Sequence, residues 1–277
     1  MLFFVNPFCL LDNLSYLCEL IRLHLHRGTW QLVSADDYGW MLKLFADKAE
    51  RVIGGWMKAN KVTIGDDELY AVREILIQTC EEKEREGNNA LPYGSATKED
   101  LTYALAEKKV KHAVRKMERD EMLMRLARKY FQSHSPATFD DYVWWSGLTA
   151  SECRKGMDLL GSELRKEHWM GYEFYFHESC RTRGFRKGIS HLLPPFDEYL
   201  IGYKSRKLSL APDHAHHAHT NNGIFFPIMA HDGIICGNWT PWEKNLKTSF
   251  FLPQNEELAF DKQWKAFCQL KKRDDRV

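Results

Sequence analysis

No Cys-x-x-Cys pair occurs in this sequence, and its seven cysteines, at positions 9, 18, 80, 153, 180, 236 and 268, are odd in number. A disulfide framework calls for an even set and a zinc knuckle for close pairs, so reduced thiols and no structural metal are expected. There is no run of 18 apolar residues, which excludes a spanning helix on hydropathy. Nor is there an excess of either charge: Lys plus Arg is 39 and Asp plus Glu is 38, a net charge of +1. Bulk charge therefore argues neither for nor against a nucleic-acid partner, and only a local basic patch could. The opening MLFFVNPFCLLDNLSYLCEL has no early Lys or Arg, and its apolar run breaks at Asn6-Pro7 and Asp12-Asn13. No small-residue cleavage site follows, so export is not expected and the chain is placed in the cytoplasm. Its Phe-Phe and Phe-Cys-Leu-Leu stretches are expected to meet a protein partner, with the true start of the domain lying further upstream.

What the sequence does contain is helical patterning. From Asn13 to His26, the positions Leu14, Leu17, Cys18, Ile21 and Leu25 have helical period. Thr29–Val33 reads as a short strand with Trp30 and Leu32 on one face. Ser34 is expected to cap a helix that opens on Asp36-Asp37 and turns Tyr38, Met41, Leu42 and Phe45 inward. A second helix is expected through Val52, Ile53 and Trp56. A third should start at Asp66-Asp67 with the stripe Leu69, Val72, Leu76 and Cys80. Residues 81–100 form a polar, Gly- and Pro-containing break, read as a linker. Ala104–Arg128 is dense in Lys and Arg, which fits either a solvated helix face or a nucleic-acid footprint.

The clearest pattern follows. Leu123, Leu126, Ala127, Tyr130 and Phe131 stand at i, i+3, i+4, i+7 and i+8, the signature of one amphipathic helix. SHSPAT (133–138) is a turn, and Thr138 can cap a short helix that Gly147 ends. Thr149 to Glu152 is a capping box opening a third helix, with Ala150, Cys153, Met157 and Leu160 inward and Ser151, Arg154, Lys155 and Asp158 outward. HWMGYEFYFH then alternates as a β-hairpin about Gly171. Helix, short helix, third helix and hairpin make a winged helix-turn-helix, in which Arg154 and Lys155 would face phosphates or base edges. Three helices and a hairpin also occur in protein-binding domains.

Four stretches stand in order: RGTWQLVSADDYGWML (27–42), LARKYFQSHSPATFDDYVWWSGLT (126–149), LLPPFDEYLIGYKSRK (192–207) and NNGIFFPIMAHDGIICGNW (221–239). Together they resemble the AlkZ/YcaQ-like winged-helix family of bacterial DNA-binding proteins, some of which are DNA glycosylases that unhook interstrand crosslinks and remove bulky alkylated bases. The resemblance runs from about residue 20 to 245. It implies an α+β fold of tandem winged helix-turn-helix units with a C-terminal small β-barrel-like domain. The expected division is 1–86, a partial N-terminal winged-helix region; 87–120, linker and helix; 121–180, winged helix; and 181–277, a C-terminal β-rich domain. Asp232-Gly233 would be the tight type I′ turn of the last domain's hairpin, which Asn222-Gly223 would begin.

The chain departs from that family in two places. Glycosylase members carry a Gln-x-Gln or Gln-x-Asp pair upstream of the strand that here reads RGTWQLV. Such a pair can position and activate a water as charge develops on the sugar. Here the glutamines are at 31, 78, 132, 254, 263 and 269, and none has that partner two residues on. The second departure is internal, where a short polar linker replaces a whole winged helix after the segment 66–86. Ser205 also stands where the family more often has an acid. The catalytic residues are therefore unknown.

Candidate sites remain to be weighed. DHAHHAHTNNG (213–223) holds His214, His216, His217 and His219. In a strand these would split two and two between faces, too few for the three or four ligands of a zinc site. A solvated, pH-sensitive loop is expected, with no metal and no cofactor. Arg181, Arg183 and Arg186, then Lys204, Arg206 and Lys207, flank Pro-Pro-Phe-Asp and could form a phosphate-contacting rim on double-stranded DNA. Trp144-Trp145 is read as core, and Asp197 as a cap. Three functions follow: a DNA-binding protein without base excision, a glycosylase using other residues, or a protein-interaction remnant.

Overall fold

The structure is a computed structural model that describes residues 20–24, 30–85, 117–184, 186–242, 245–255 and 257–274. The chain divides into two compact units. Among the described residues, the first takes the chain up to Ala127 together with Ser146–Leu159, and the second takes Arg128–Trp145 and everything from Leu160 onward.

The first unit begins with an antiparallel hairpin, β1 (Leu20–His24) and β2 (Trp30–Ser34), in register Leu20↔Ser34 through His24↔Trp30. The helix expected over 13–26 is thus a strand at Leu20–His24, and the rest of that expectation lies outside the described residues. β2 supplies backbone partners along the whole of β1, a tertiary term that helical spacing does not report. β2 buries Gln31 and Val33. Ser34 then caps α1 (Ala35–Ala59), accepting from the Asp37 N–H at 3.2 Å. Tyr38, Met41 and Phe45 are buried as expected, joined by Trp40 and Leu44, whereas Leu42 is exposed. The Asp37 carboxylate is buried but satisfied. It accepts from the Trp40 indole at 3.0 Å and the Ser34 hydroxyl at 3.0 Å, and it pairs with Arg125 at 3.3 Å. The Arg125 guanidinium also lies over the Trp40 ring, 5.5 Å from its centroid. A buried carboxylate is tolerated when its lone pairs are filled in this way.

No separate helix carries Val52, Ile53 and Trp56. They lie on the second half of α1, exposed, and α2 (Asp66–Arg85) follows a short turn. Because α2 continues to Arg85, the polar break starts later than expected; its remaining residues lie outside the described set, as does most of the basic stretch 104–116.

α3 (Arg119–His134) crosses into the second unit, and its predicted stripe, Leu123 to Phe131, is buried throughout. Thr138, the end of the two-residue β3 (Ala137–Thr138), caps α4 (Phe139–Ser146) by accepting from the Asp141 N–H at 3.1 Å. α5 (Ala150–Asp158) opens on the expected capping box, Thr149 with Glu152. It buries Cys153, Gly156 and Met157, while Ala150, expected inward, is exposed. Gly156 is the contact point with α3: a Cβ there would stand 2.7 Å from the Leu123 carbonyl oxygen.

In the second unit, β4 (Leu164–Trp169) and β5 (Tyr172–His177) form the expected hairpin, joined by Met170 and Gly171, both at positive φ. The three-stranded order is β3-β5-β4. Tyr130, Phe131, Tyr142 and Trp145 pack here ring on ring, with centroids 4.9–5.4 Å apart. Trp145 is core as expected; Trp144 is half exposed, its indole donating to the Ile201 carbonyl at 3.3 Å.

Four further strands, β6 (Ser190–Leu193), β7 (Ile228–His231), β8 (Ile234–Trp242) and β9 (Asn245–Phe250), pair antiparallel in that order. Among the described residues this sheet is open rather than closed into a barrel, because β6 and β9 are edges with no ladder between them. Asp232-Gly233 is the two-residue turn between β7 and β8, both residues at positive φ. Asn222-Gly223 does not begin β7; it closes a turn of its own, in which the Gly223 N–H donates to Thr220. Asp197 caps α6 (Glu198–Ile201), accepting from the Tyr199 N–H at 2.8 Å. α8 (Asp261–Asp274) lays Trp264 and Phe267 on the core of Met229, Cys236, Trp239 and Phe260.

One ion pair in this unit carries a pH prediction. Arg128 grips Glu163 through two bonds of 2.7 Å each, and His177 lies 3.4 Å away. The Arg128 bonds hold the Glu163 carboxyl below its ordinary value. A lowered carboxyl stabilises the fold above its unfolded pKa of about 4.3, and that stability is lost as pH falls through the folded value. Glu163→Gln is expected to remove this acid-limb loss, so that thermal melts between pH 3 and 6 show a flatter slope than the parent chain.

Candidate nucleic-acid interface

Of the residues singled out by sequence, Lys204, Arg206 and Lys207 meet in one cleft of about 700 Å³ in the second unit. Its walls come from α4, the β4–β5 hairpin and the segment 203–219, with Phe139, Tyr172, Tyr175 and Leu210 supplying apolar surface. The segment is held by Asp141, which is 4% exposed. One of its oxygens accepts from the Thr138 N–H at 3.0 Å and hydroxyl at 2.7 Å. The other accepts from the backbone N–H groups of Lys204 at 2.8 Å and Ser205 at 3.2 Å. Thr-x-x-Asp spacing signals the cap; nothing local signals the second pair of bonds, so sequence reasoning missed Asp141.

The cleft lining holds three acids, Asp140, Asp141 and Glu173, and three cations, Lys204, Arg206 and Lys207, so it carries no net formal charge. Asp141 is consumed by backbone donors. Asp140 pairs with Lys204 at 3.0 Å in an exposed bridge, which contributes at most about 1 kcal/mol. Glu173 is held below the usual carboxylate range by the Tyr175 hydroxyl first and then by Lys166 at 3.3 Å. Arg206 donates through Nε to the Leu200 carbonyl at 2.7 Å, and its guanidinium sits 5.1 Å from the Phe225 centroid. Its position is thereby fixed. Lys207 is exposed and has no ion pair among the described residues. His219, stacked near Phe225, has its pKa lowered by burial and then by the Arg206 charge.

Arg181, Arg183 and Arg186 are exposed on the loop after β5 and do not line this cleft. Arg154 and Lys155 occupy the outward face of α5 in the first unit, where Lys155 pairs with Asp120 at 2.6 Å. The arginines of α3 are committed to ion pairs: Arg119 to Glu152 and Asp47, Arg125 to Asp37 and Arg128 to Glu163. On that helix the solvated, salt-bridged reading prevails. The tip of the β4–β5 hairpin is apolar and open, with Trp169 and Met170 each more than half exposed.

The histidine run is not a strand. Pro212–His214 is a 3₁₀ turn and Ala215–Ala218 is the short α7. His214 and His217 therefore fall on one side and both stack on Phe251, at 4.9 and 5.2 Å. Among the described residues no group of three or more metal-capable side chains converges, and no helix is long and apolar enough to cross a membrane.

Helices and antiparallel sheets together define a mixed α/β protein. Residues 89–259 match the family described as DNA glycosylase AlkZ-like, and the chain belongs to that family. It is 24% identical over 280 residues to an interstrand DNA cross-link repair glycosylase of Streptomyces sahachiroi, covering 87% of this chain and 75% of the relative. The solved structure of Streptomyces sahachiroi DNA glycosylase AlkZ shares the fold with a TM-score of 0.76 and 19% identity, over 95% of this chain and 82% of the other.

Proposed function

We propose that this protein binds double-stranded DNA as a tandem-winged-helix member of its family and does not excise bases. The observation that carries the reading is the gathering of Lys204, Arg206 and Lys207 on one cleft in a chain of a DNA glycosylase family. The element order α3, α4, α5, β4–β5 supports one winged helix over 121–180, with α5 offering Arg154 and Lys155 and β4–β5 as the wing. Residues 1–86 then form the partial first unit of this kind, 87–120 the connection, and 181–277 the β-rich domain that carries Arg181, Arg183, Arg186 and the cleft lysines. The exposed Trp169-Met170 tip suits an apolar wedge beside a groove. Absence of excision rests on the absence of Gln-x-Gln and Gln-x-Asp within these 277 residues.

Arg181→Glu/Arg183→Glu/Arg186→Glu is expected to weaken duplex binding at least about 100-fold in a fluorescence-anisotropy titration, because phosphate contacts dominate such affinity. The same chains incubated with N7-methylated duplex are expected to release no abasic product. Equal affinity of parent and variant would remove these arginines from the interface. Abasic product lost on substitution of a named side chain would make the protein a glycosylase with different catalytic groups.

A further inference from the structure

From Ala46 to Ile75 no described side chain is buried, although this stretch is helical for most of its length. Most helical stability in proteins comes from the packing of an apolar face rather than from propensity. The apolar face exists here but is bare. Val52, Ile53 and Trp56 on α1 and Leu69, Val72 and Ile75 on α2 are each more than half exposed. Gly54 and Gly55 sit in the middle of the α1 portion with nothing within 4 Å of a Cβ at either. Two glycines inside a solvent-exposed helix are unfavourable against alanine, and the missing side chains leave room for another backbone to approach.

The charges around this face come in two complementary blocks. Residues 51–64 hold Arg51, Lys58 and Lys61 and no acid, while α2 opens with Asp66, Asp67 and Glu68 and has no base before Arg73. Among the described residues no ion pair joins Lys58 or Lys61 to Asp66 or Asp67. A two-fold axis brings each block of one copy onto the opposite block of the other, which is how an isologous interface satisfies itself. We infer that this face is the dimer interface of the protein: α1 from Arg51 onward and the first half of α2 pack on the same elements of a second copy, crossing near Gly54-Gly55.

The test uses the full chain in light scattering coupled to size exclusion, at concentrations from about 1 to 50 μM. The expected mass is twice the 32.5 kDa of one chain at the upper end. Ile53→Glu/Val72→Glu is expected to give a monomer with unchanged far-ultraviolet circular dichroism, since both side chains are already exposed. Lys58→Glu/Lys61→Glu should weaken the dimer at least tenfold, and adding Asp66→Lys/Asp67→Lys in the same chain should restore most of it. A parent chain that is monomeric at 50 μM, whether because another segment of its own or a different protein covers the face, overturns the inference. So does a dimer that Ile53→Glu/Val72→Glu leaves intact.

Discussion

Asp141→Ala is expected to be the most damaging single change in the cleft of Lys204, Arg206 and Lys207. The substitution removes the acceptor for two backbone N–H groups and a hydroxyl that bond at 2.7–3.0 Å, and for the Ser205 N–H at 3.2 Å. Hydrogen bonds to a charged group are worth about 1.5–3 kcal/mol each before relaxation, and stranded buried N–H groups add their desolvation cost. A net loss of about 3 kcal/mol is expected after the loop adjusts, lowering Tm by roughly 8 °C for a unit of this size. Asp141→Asn should cost nearly as much, because its amide group turns a donor toward donors. The loop that presents Lys204, Arg206 and Lys207 loses its anchor in either variant. Duplex affinity should therefore fall even at temperatures where both variants remain folded. A melt unchanged within 2 °C, read by circular dichroism, would refute the role assigned to this carboxylate.

The second large effect concerns α3 and α5. Gly156→Val is expected to destabilise the first unit by about 3 kcal/mol, because Cβ would lie 2.7 Å from the Leu123 carbonyl oxygen and 3.1 Å from its carbon. Those atoms are backbone in the middle of a helix and cannot swing aside, so the helices must separate, as in any overpacked core. Replacing glycine within a helix returns up to about 1 kcal/mol in propensity, which offsets only part of the clash. Gly156→Ala meets the same backbone with a smaller group and should lose about 2 kcal/mol. Urea unfolding followed by tryptophan fluorescence would register either loss as a lower midpoint; an unchanged midpoint in Gly156→Val would mean that the helices do not approach this closely.

Much of the secondary structure was legible because its causes are local. The buried stripe of α3 follows from side chains at helical spacing, and Ser34, Thr138, Thr149 and Asp197 cap helices because their oxygens reach N–H groups two or three residues on. Asp232-Gly233 turns its hairpin because Asp and Gly tolerate positive φ; at Met170-Gly171 only the glycine does so without cost. What escaped was decided by distant partners. Leu20–His24 is a strand because β2 lies beside it. The histidines sit in helical turns, where Phe251, far along the chain, stacks on two of them. Asp141 looks like an ordinary cap until the Lys204 N–H, 63 positions away, bonds to it. The site residues were legible as charges but not as partners. Arg119, Arg125 and Arg128 are committed to carboxylates, while Lys207 and the arginines of the 181–186 loop are exposed.

The proposed binding of duplex DNA, chiefly through the DNA's phosphate charges, is tested by the salt dependence of affinity. A fluorescent duplex is titrated with the full chain between 50 and 200 mM salt. With about six phosphate contacts, the logarithm of affinity should fall against the logarithm of salt with a slope near −5, roughly a thousandfold loss over that range. No measurable binding at 50 mM, or an affinity that salt leaves unchanged, would contradict the account.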